Sequence, residues 1–212
     1  MAYSYADLLR KDVLRMIPPD GRVIGSIGCG TALTEEVLVK QGRLVHGVDI
    51  APEAIEVASK RITSARVLNP DERHAFDNES LDGLILADVI EHIPLAWEAL
   101  KEFAKAVRPG GWVVISTPNM RNLDVLRQFF WRGDWPEPPN GIFDRTHVQV
   151  MSHKRLERWC EGAGLKIEQW FDQYDPYGPR RLAFFTTLDR ATLKLFHTWF
   201  MYQLQLRSRK PA

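Results

Sequence analysis

Two groups of residues in this sequence have types and spacings suited to chemistry. The first is Gly28-Cys29-Gly30, with Asp49 following 19 residues beyond Gly30. Glycines let the backbone approach a ligand closely. A carboxylate about 20 residues further on can accept hydrogen bonds from both hydroxyls of a ribose. Together they suit a nucleotide bound at the carboxyl edge of a parallel sheet. A dinucleotide fingerprint needs a third glycine where this chain has Leu33, so a nicotinamide-dependent dehydrogenase is the weaker alternative. The second group is Asp88, Glu91 and His92, with His147 farther along. Histidine titrates near neutral pH and is well matched to removing a proton from a hydroxyl. Of the six histidines, His46, His74, His92, His147, His153 and His197, only His92 and His147 fall in loops after the fourth and fifth predicted strands. Those two are the catalytic candidates. Asp88, Glu91, His92 and His147 could also ligate magnesium or manganese. A carboxylate near the start of the following helix is favourable without any ion. Glu91 and His92 are therefore read as capping groups, and no metal is expected.

The elements that must position these groups alternate. Ser4 and Asp7 mark a helix start, and Tyr5, Leu9, Val13 and Ile17 continue at helical spacing until Pro18-Pro19-Asp20-Gly21. Strands are predicted over Arg22–Ile27, Leu44–Ile50, Ile62–Leu68, Leu81–Val89 and Trp112–Thr117. Helices are predicted over Thr31–Gln41, Ala51–Lys60 and Leu95–Val107, and Pro109-Gly110-Gly111 reads as a turn. Such alternation implies an α/β fold with a mostly parallel sheet and helices on both faces. After Pro118 the pattern breaks into aromatics and prolines, and a helix over Ser152–Gly164 follows. Strands at Leu165–Phe171 and Phe200–Leu206 flank a helical insert near Leu188–His197. No linker divides the chain, so 1–212 reads as one domain, with an N-terminal helix in 1–20 and inserts at 119–151 and 174–199. Loops at the carboxyl edge carry specificity in such folds. Trp131, Trp135 and Phe143 are thus candidates to line an acceptor pocket. The basic and apolar residues of 179–200 could face a membrane surface or a partner chain, although a helix packed on the core is the plainer reading.

Composition narrows the setting. The 212 residues carry 28 Lys or Arg against 27 Asp or Glu, which argues against general nucleic-acid binding. Two cysteines, Cys29 and Cys160, exclude a disulfide framework. No apolar run approaches the ~18–20 residues of a membrane span. The first dozen residues mix acidic and basic side chains, so no secretory signal is expected. The expected compartment is the cytoplasm, and the expected state is a monomer or homodimer.

The order of four motifs resembles a known family. Gly28-Cys29-Gly30-Thr31, Gly47-Val48-Asp49-Ile50-Ala51-Pro52, Ala87-Asp88-Val89-Ile90-Glu91-His92-Ile93 and Arg108-Pro109-Gly110-Gly111 are similar to the signatures of class I S-adenosylmethionine-dependent methyltransferases. The Ile90–Ile93 stretch looks like the ubiquinone-biosynthesis O-methyltransferase type. Thr117-Pro118-Asn119 and Phe143-Asp144-Arg145-Thr146-His147 are similar to methyltransferases of cell-surface polysaccharide biosynthesis and to MetW-type proteins. The resemblance implies a Rossmann-like, seven-stranded sheet with an antiparallel last strand. It implies S-adenosylmethionine as cofactor, with Gly28, Cys29 and Gly30 beneath its methionine part. Asp49 would take the ribose and Ile50 the adenine face. Asp71 would lie nearest the adenine amino group, and Leu86 and Ala87 would bring backbone near the methionine. The implied reaction is methyl transfer to a small-molecule partner, a sugar or aromatic metabolite, at a hydroxyl of a sugar or related metabolite in the first reading, with a MetW-like regulatory protein as the alternative. Some ubiquinone-type and small-RNA methyltransferases hold a divalent ion on a comparable carboxylate and histidine set. The chain departs from the pattern at Ser26, where an acidic residue is usual, and at Ala32, where a third glycine often stands.

Overall fold

The computed structural model describes residues 8–69, 72, 74–139, 141–174 and 179–212. The strands are β1 (Val23–Ile27), β2 (Leu44–Asp49), β3 (Ser64–Val67), β4 (Leu81–Ala87), β5 (Val107–Pro118), β6 (Lys166–Tyr174) and β7 (Met201–Arg209). They form one seven-stranded sheet in the order β3-β2-β1-β4-β5-β7-β6. Strands β1 to β5 pair in parallel, and β7 runs antiparallel to both β5 and β6. The chain order reverses between β1 and β4, and ligands bind at such a switch point in open α/β sheets. The central strands are apolar without alternation because both of their faces are covered. In β4 the run Gly83-Leu84-Ile85-Leu86 is buried throughout.

Two apolar layers sandwich the sheet. Leu84, Leu86, Val113 and Ile115 belong to one, with Leu100, Phe103, Leu156 and Trp159 from the helices. Ile24, Ile85, Trp112 and Val114 belong to the other, with Leu38 and Ile55. The helices are α1 (Lys11–Leu14), α2 (Leu33–Lys40), α3 (Pro52–Ala58), α4 (Ala96–Lys105), α5 (Leu123–Arg132), α6 (His153–Gly162), α7 (Pro179–Ala191) and α8 (His197–Phe200). A single 3-10 turn covers Ile90–His92.

Four expectations are corrected. The predicted N-terminal helix start at Ser4, Tyr5 and Asp7 lies outside the described residues, and within them only Lys11–Leu14 is helical. Pro109-Gly110-Gly111 is not a turn before β5 but part of it, set off by a register shift between Leu81 and Gly83. The segment after Pro118 holds a real helix, α5, begun by Asn122, whose side chain accepts a hydrogen bond from the Asp124 amide at 2.9 Å. The helical insert before β7 is larger than expected and occupies α7 and α8.

Candidate functional site

The glycine turn sits where β1 meets α2. Gly28, Gly30 and Ala32 all adopt positive φ, at 69°, 53° and 59°, so the backbone folds back tightly over the end of β1. At Gly28 a Cβ would lie 2.4 Å from Val89 Cγ2, a clash no L side chain escapes. The amides of Gly28 and Cys29 donate to the Val48 carbonyl at 2.8 and 3.1 Å. Asp49 completes the link. Its Oδ2 accepts from the Gly30 amide at 2.8 Å and its Oδ1 from the Ala51 amide at 3.0 Å. The carboxylate, 2% exposed, therefore holds the loops after β1 and β2 in one register. Cys29 is buried beneath this turn, and burial, with Glu35 and Asp49 nearby, pushes its thiol far above the ordinary range.

The other cofactor candidates divide. Ile50 is 54% exposed at the rim beside Asp49. Leu86 is fully buried and Ala87 half-buried at the end of β4, so any part they play is through backbone. Asp71 lies outside the described residues. At the Ser26 departure the structure brings a carboxyl from elsewhere. Ser26 Oγ donates to Glu35 Oε1 at 2.7 Å. Burial raises the Glu35 pKa against the lowering effect of the Ser26 hydrogen bond. Sequence reasoning missed Glu35 because it lies on α2, nine residues beyond Ser26.

His92 and His147 come together over Glu91. Their ring centroids are 4.8 Å apart. One ligand atom from each of Glu91, His92 and His147 falls within 4.8 Å of the others. His92 Nδ1 lies 2.9 Å from Thr146 Oγ1, whose own hydrogen goes to Asp144 Oδ1 at 2.7 Å. His147 Nδ1 lies 3.3 Å from the Ile142 carbonyl. These acceptors assign the proton to Nδ1 in both rings and leave both Nε2 lone pairs available. Burial, and then the neighbouring His92, lower the His147 pKa below its usual value. Beneath them Glu91 is fully buried, and neither carboxyl oxygen has a hydrogen-bond partner among the described residues. Burial, then the charge of Asp88, hold its pKa well above the carboxylate range. The capping role expected for Glu91 and His92 is not what they do. Helix α4 starts at Leu95 without a side-chain cap, Glu91 faces the interior, and His92 turns to Thr146.

Asp88 is drawn away from this set into a network that the sequence did not reveal. It pairs with the Arg10 guanidinium, which also binds Asp12 at 2.8 Å, Ser116 Oγ at 3.3 Å and Gln203 Oε1 at 3.0 Å. Gln203 donates to Asp88 at 3.0 Å, and Gln205 donates to Asp12 at 2.6 Å. Burial alone would lower the Arg10 pKa, but the hydrogen bonds and charges of Asp12 and Asp88 outweigh it and raise it. This cluster closes the same sheet edge over β4, β5 and β7. The aromatic candidates also separate. Trp135 and Phe143 meet edge to face at 5.0 Å near the His147 loop. Trp131 is 87% exposed on α5 and lines a separate cavity with Phe130 and Trp199. The remaining histidines have other partners: His46 on Ser64, His74 near Glu102, His153 stacked on Trp170, and His197 between Asp172 and Asp189.

Comparison with known proteins places this geometry. Residues 1–169 match a family model described as a methyltransferase domain. A ubiquinone biosynthesis O-methyltransferase of Hydrogenovibrio crunogenus is 27% identical over 157 residues, 71% of this chain and 64% of the relative. The Coxiella burnetii protein of the same name is 28% identical over 165 residues, 74% of this chain and 69% of the relative. The chain thus spans only about two thirds of the length of these relatives. A methyltransferase structure from Archaeoglobus fulgidus, described as S-adenosylmethionine-dependent, superposes with a TM-score of 0.65 at 17% identity, covering 89% of this chain and 86% of that one. One from Mesorhizobium loti gives 0.65 at 14%, covering 93% and 95%.

Proposed function

The chain belongs to the methyltransferase-domain family, whose cofactor is S-adenosylmethionine, and we propose that it methylates a hydroxyl of a small-molecule acceptor. The observation that carries this reading is the pair of imidazoles, His92 and His147, each with Nε2 free, at the edge where the glycine turn and Asp49 lie. The cofactor supplies an activated methyl with its own leaving group. The work left to the protein is alignment and proton removal. In this proposal Asp49 accepts the ribose hydroxyls while it keeps the Gly30 amide. Gly28 and Gly30 keep the backbone of the turn beneath the methionine part, with Val89 packed in the space that a Gly28 side chain would need. His147, held neutral by burial, takes the acceptor proton at Nε2 while Nδ1–H stays on the Ile142 carbonyl.

The donor chemistry of Glu91, His92 and His147 also fits a divalent cation, because a buried unpartnered carboxyl and two available imidazole nitrogens converge. Those three residues would hold it, and a cation there would acidify a hydroxyl close to it. The names of the relatives support an oxygen acceptor. Nothing in the comparisons supports a sugar. The Trp135–Phe143 pair beside the His147 loop suits a flat aromatic ring better.

The test is transfer of labelled methyl groups to a panel of phenolic and sugar acceptors. His147→Ala should lower the turnover number by ~10²–10⁴ with S-adenosylhomocysteine affinity unchanged. The wild-type rate should fall on the acid side of about pH 6.5, the ordinary histidine value, and that limb should vanish in the variant. Loss of activity on chelation, restored by magnesium or manganese, would assign Glu91, His92 and His147 to a cation. An active His147→Ala variant without metal dependence would remove both roles. Cofactor binding without turnover on any acceptor would leave the regulatory reading.

A further inference from the structure

Helix α5 and the segment between α7 and α8 expose an apolar surface that the proposed chemistry does not use. Trp131 is 87% exposed and Phe130 73%. Leu193 and Leu195, in the turn leading to α8, are 84% and 79% exposed. Trp199 joins the two parts. It shares an open cavity of about 570 Å³ with Phe130 and Trp131, and its ring lies 5.5 Å from that of Phe196. Isolated exposed apolar residues are ordinary, but a contiguous patch of aromatics and leucines marks an interaction surface.

Charge selects the occupant. Residues 121–134 and 179–200 together carry seven Arg or Lys and three Asp, a surplus of four in a chain whose total is +1. Of the acids, Asp124 is paired with Arg181 and Asp189 is buried against Tyr174 and His197. Arg127 and Arg132 line the cavity itself, and Arg190 and Lys194 stand exposed near the leucines. Aromatic and leucine side chains rimmed by cations are the composition that seats a protein in the headgroup layer of a bilayer. A second copy of this chain fits less well, because a two-fold contact through the patch would set like charge against like.

We propose that this face docks on the surface of a lipid bilayer containing anionic headgroups, with Phe130, Trp131, Leu193 and Leu195 entering the interface and the cations contacting the headgroups. The inference stands apart from the methyl-transfer reading. It places the α5 end of the molecule against the lipid.

The experiment is sedimentation of the full chain with vesicles of phosphatidylcholine alone and with about one quarter phosphatidylglycerol. Binding to the anionic vesicles should exceed binding to the neutral ones at least tenfold and weaken with salt. Phe130→Ser with Trp131→Ser should lower it at least tenfold. Arg127→Glu with Arg132→Glu should do the same, about fivefold for each cation lost. Both pairs are exposed, so their thermal melts should match the wild type. Equal partition onto both vesicle types would overturn the proposal, as would undiminished binding in either double variant. Concentration-dependent self-association lost in the Phe130/Trp131 variant, without vesicle binding, would assign the face to a second copy instead.

Discussion

Glu91 brings a titratable group into the interior with no hydrogen-bond partner among the described residues. Burial, and then Asp88, make its neutral form the favoured one. For a carboxyl whose folded pKa is raised, stability is fullest below the unfolded pKa and is lost as pH climbs toward the folded value. Glu91→Gln should therefore raise stability at pH 8 by about 1–3 kcal/mol, with a gain that shrinks toward pH 4. Urea melts of the metal-free protein across that range check this, and a pH-independent difference would contradict it. The partners of the candidate residues were legible unevenly. Gly28, Gly30 and Asp49 follow from local spacing because a strand end, a tight turn and the next strand end recur at fixed intervals. His92 and His147 were placed by loop position alone. Glu35 beside Ser26, and the Arg10 link to Asp88, depend on how elements pack, and no short spacing announces them.

At the scale of elements, β4 and β5 set the position of the loops that carry Asp88 to His92. Gly83 makes their approach possible, since a Cβ there would lie 2.2 Å from the Trp112 ring, which is itself fully buried and donates to the Asp20 carbonyl at 3.0 Å. Gly83→Ala should cost about 1–3 kcal/mol by overpacking, read as a lower urea midpoint with an unchanged slope. A neutral result would mean that Trp112 moves freely. Helix α5 shows why the region after Pro118 was hard to read. Three aromatics, Phe129, Phe130 and Trp131, end the helix, and Trp135 and the prolines that follow directly blur the amphipathic stretch before them. The sequence reading misses the Asn122 cap and groups Trp131 with Trp135 and Phe143 as a pocket lining rather than as part of an exposed face.

Across the whole molecule, Arg10 ties the N-terminal segment to three central strands through Asp88, Ser116 and Gln203, partners 78 to 193 residues away. Arg10→Ala should destabilise the protein by about 1.5–3 kcal/mol at pH 7, the range for hydrogen bonds to charged groups. For Asp12, burial would raise the pKa, but Arg10 outweighs it and lowers it. Its share of stability is thus present above the ordinary Asp pKa of about 3.9 and lost as pH falls through the lowered value. The difference between wild type and variant should narrow as pH falls below the ordinary Asp value in denaturant melts. Unequal legibility recurs at this scale. The mostly parallel sheet follows from strand alternation and the motif order, whereas the closing of its edge by Arg10 rests on long-range pairing.

Cofactor binding is assigned to one site, the glycine turn tied to Asp49 at the end of β2. Calorimetric titration with S-adenosylhomocysteine tests it directly on the wild type and on Asp49→Asn, which keeps an acceptor for the Gly30 or Ala51 amide. The wild type should bind. The variant should remain folded by circular dichroism and bind about 10- to 150-fold more weakly, which corresponds to about 1.5–3 kcal/mol for a hydrogen bond to a charged group. A folded variant with wild-type affinity, or a wild type that takes up no S-adenosylhomocysteine, would contradict the account.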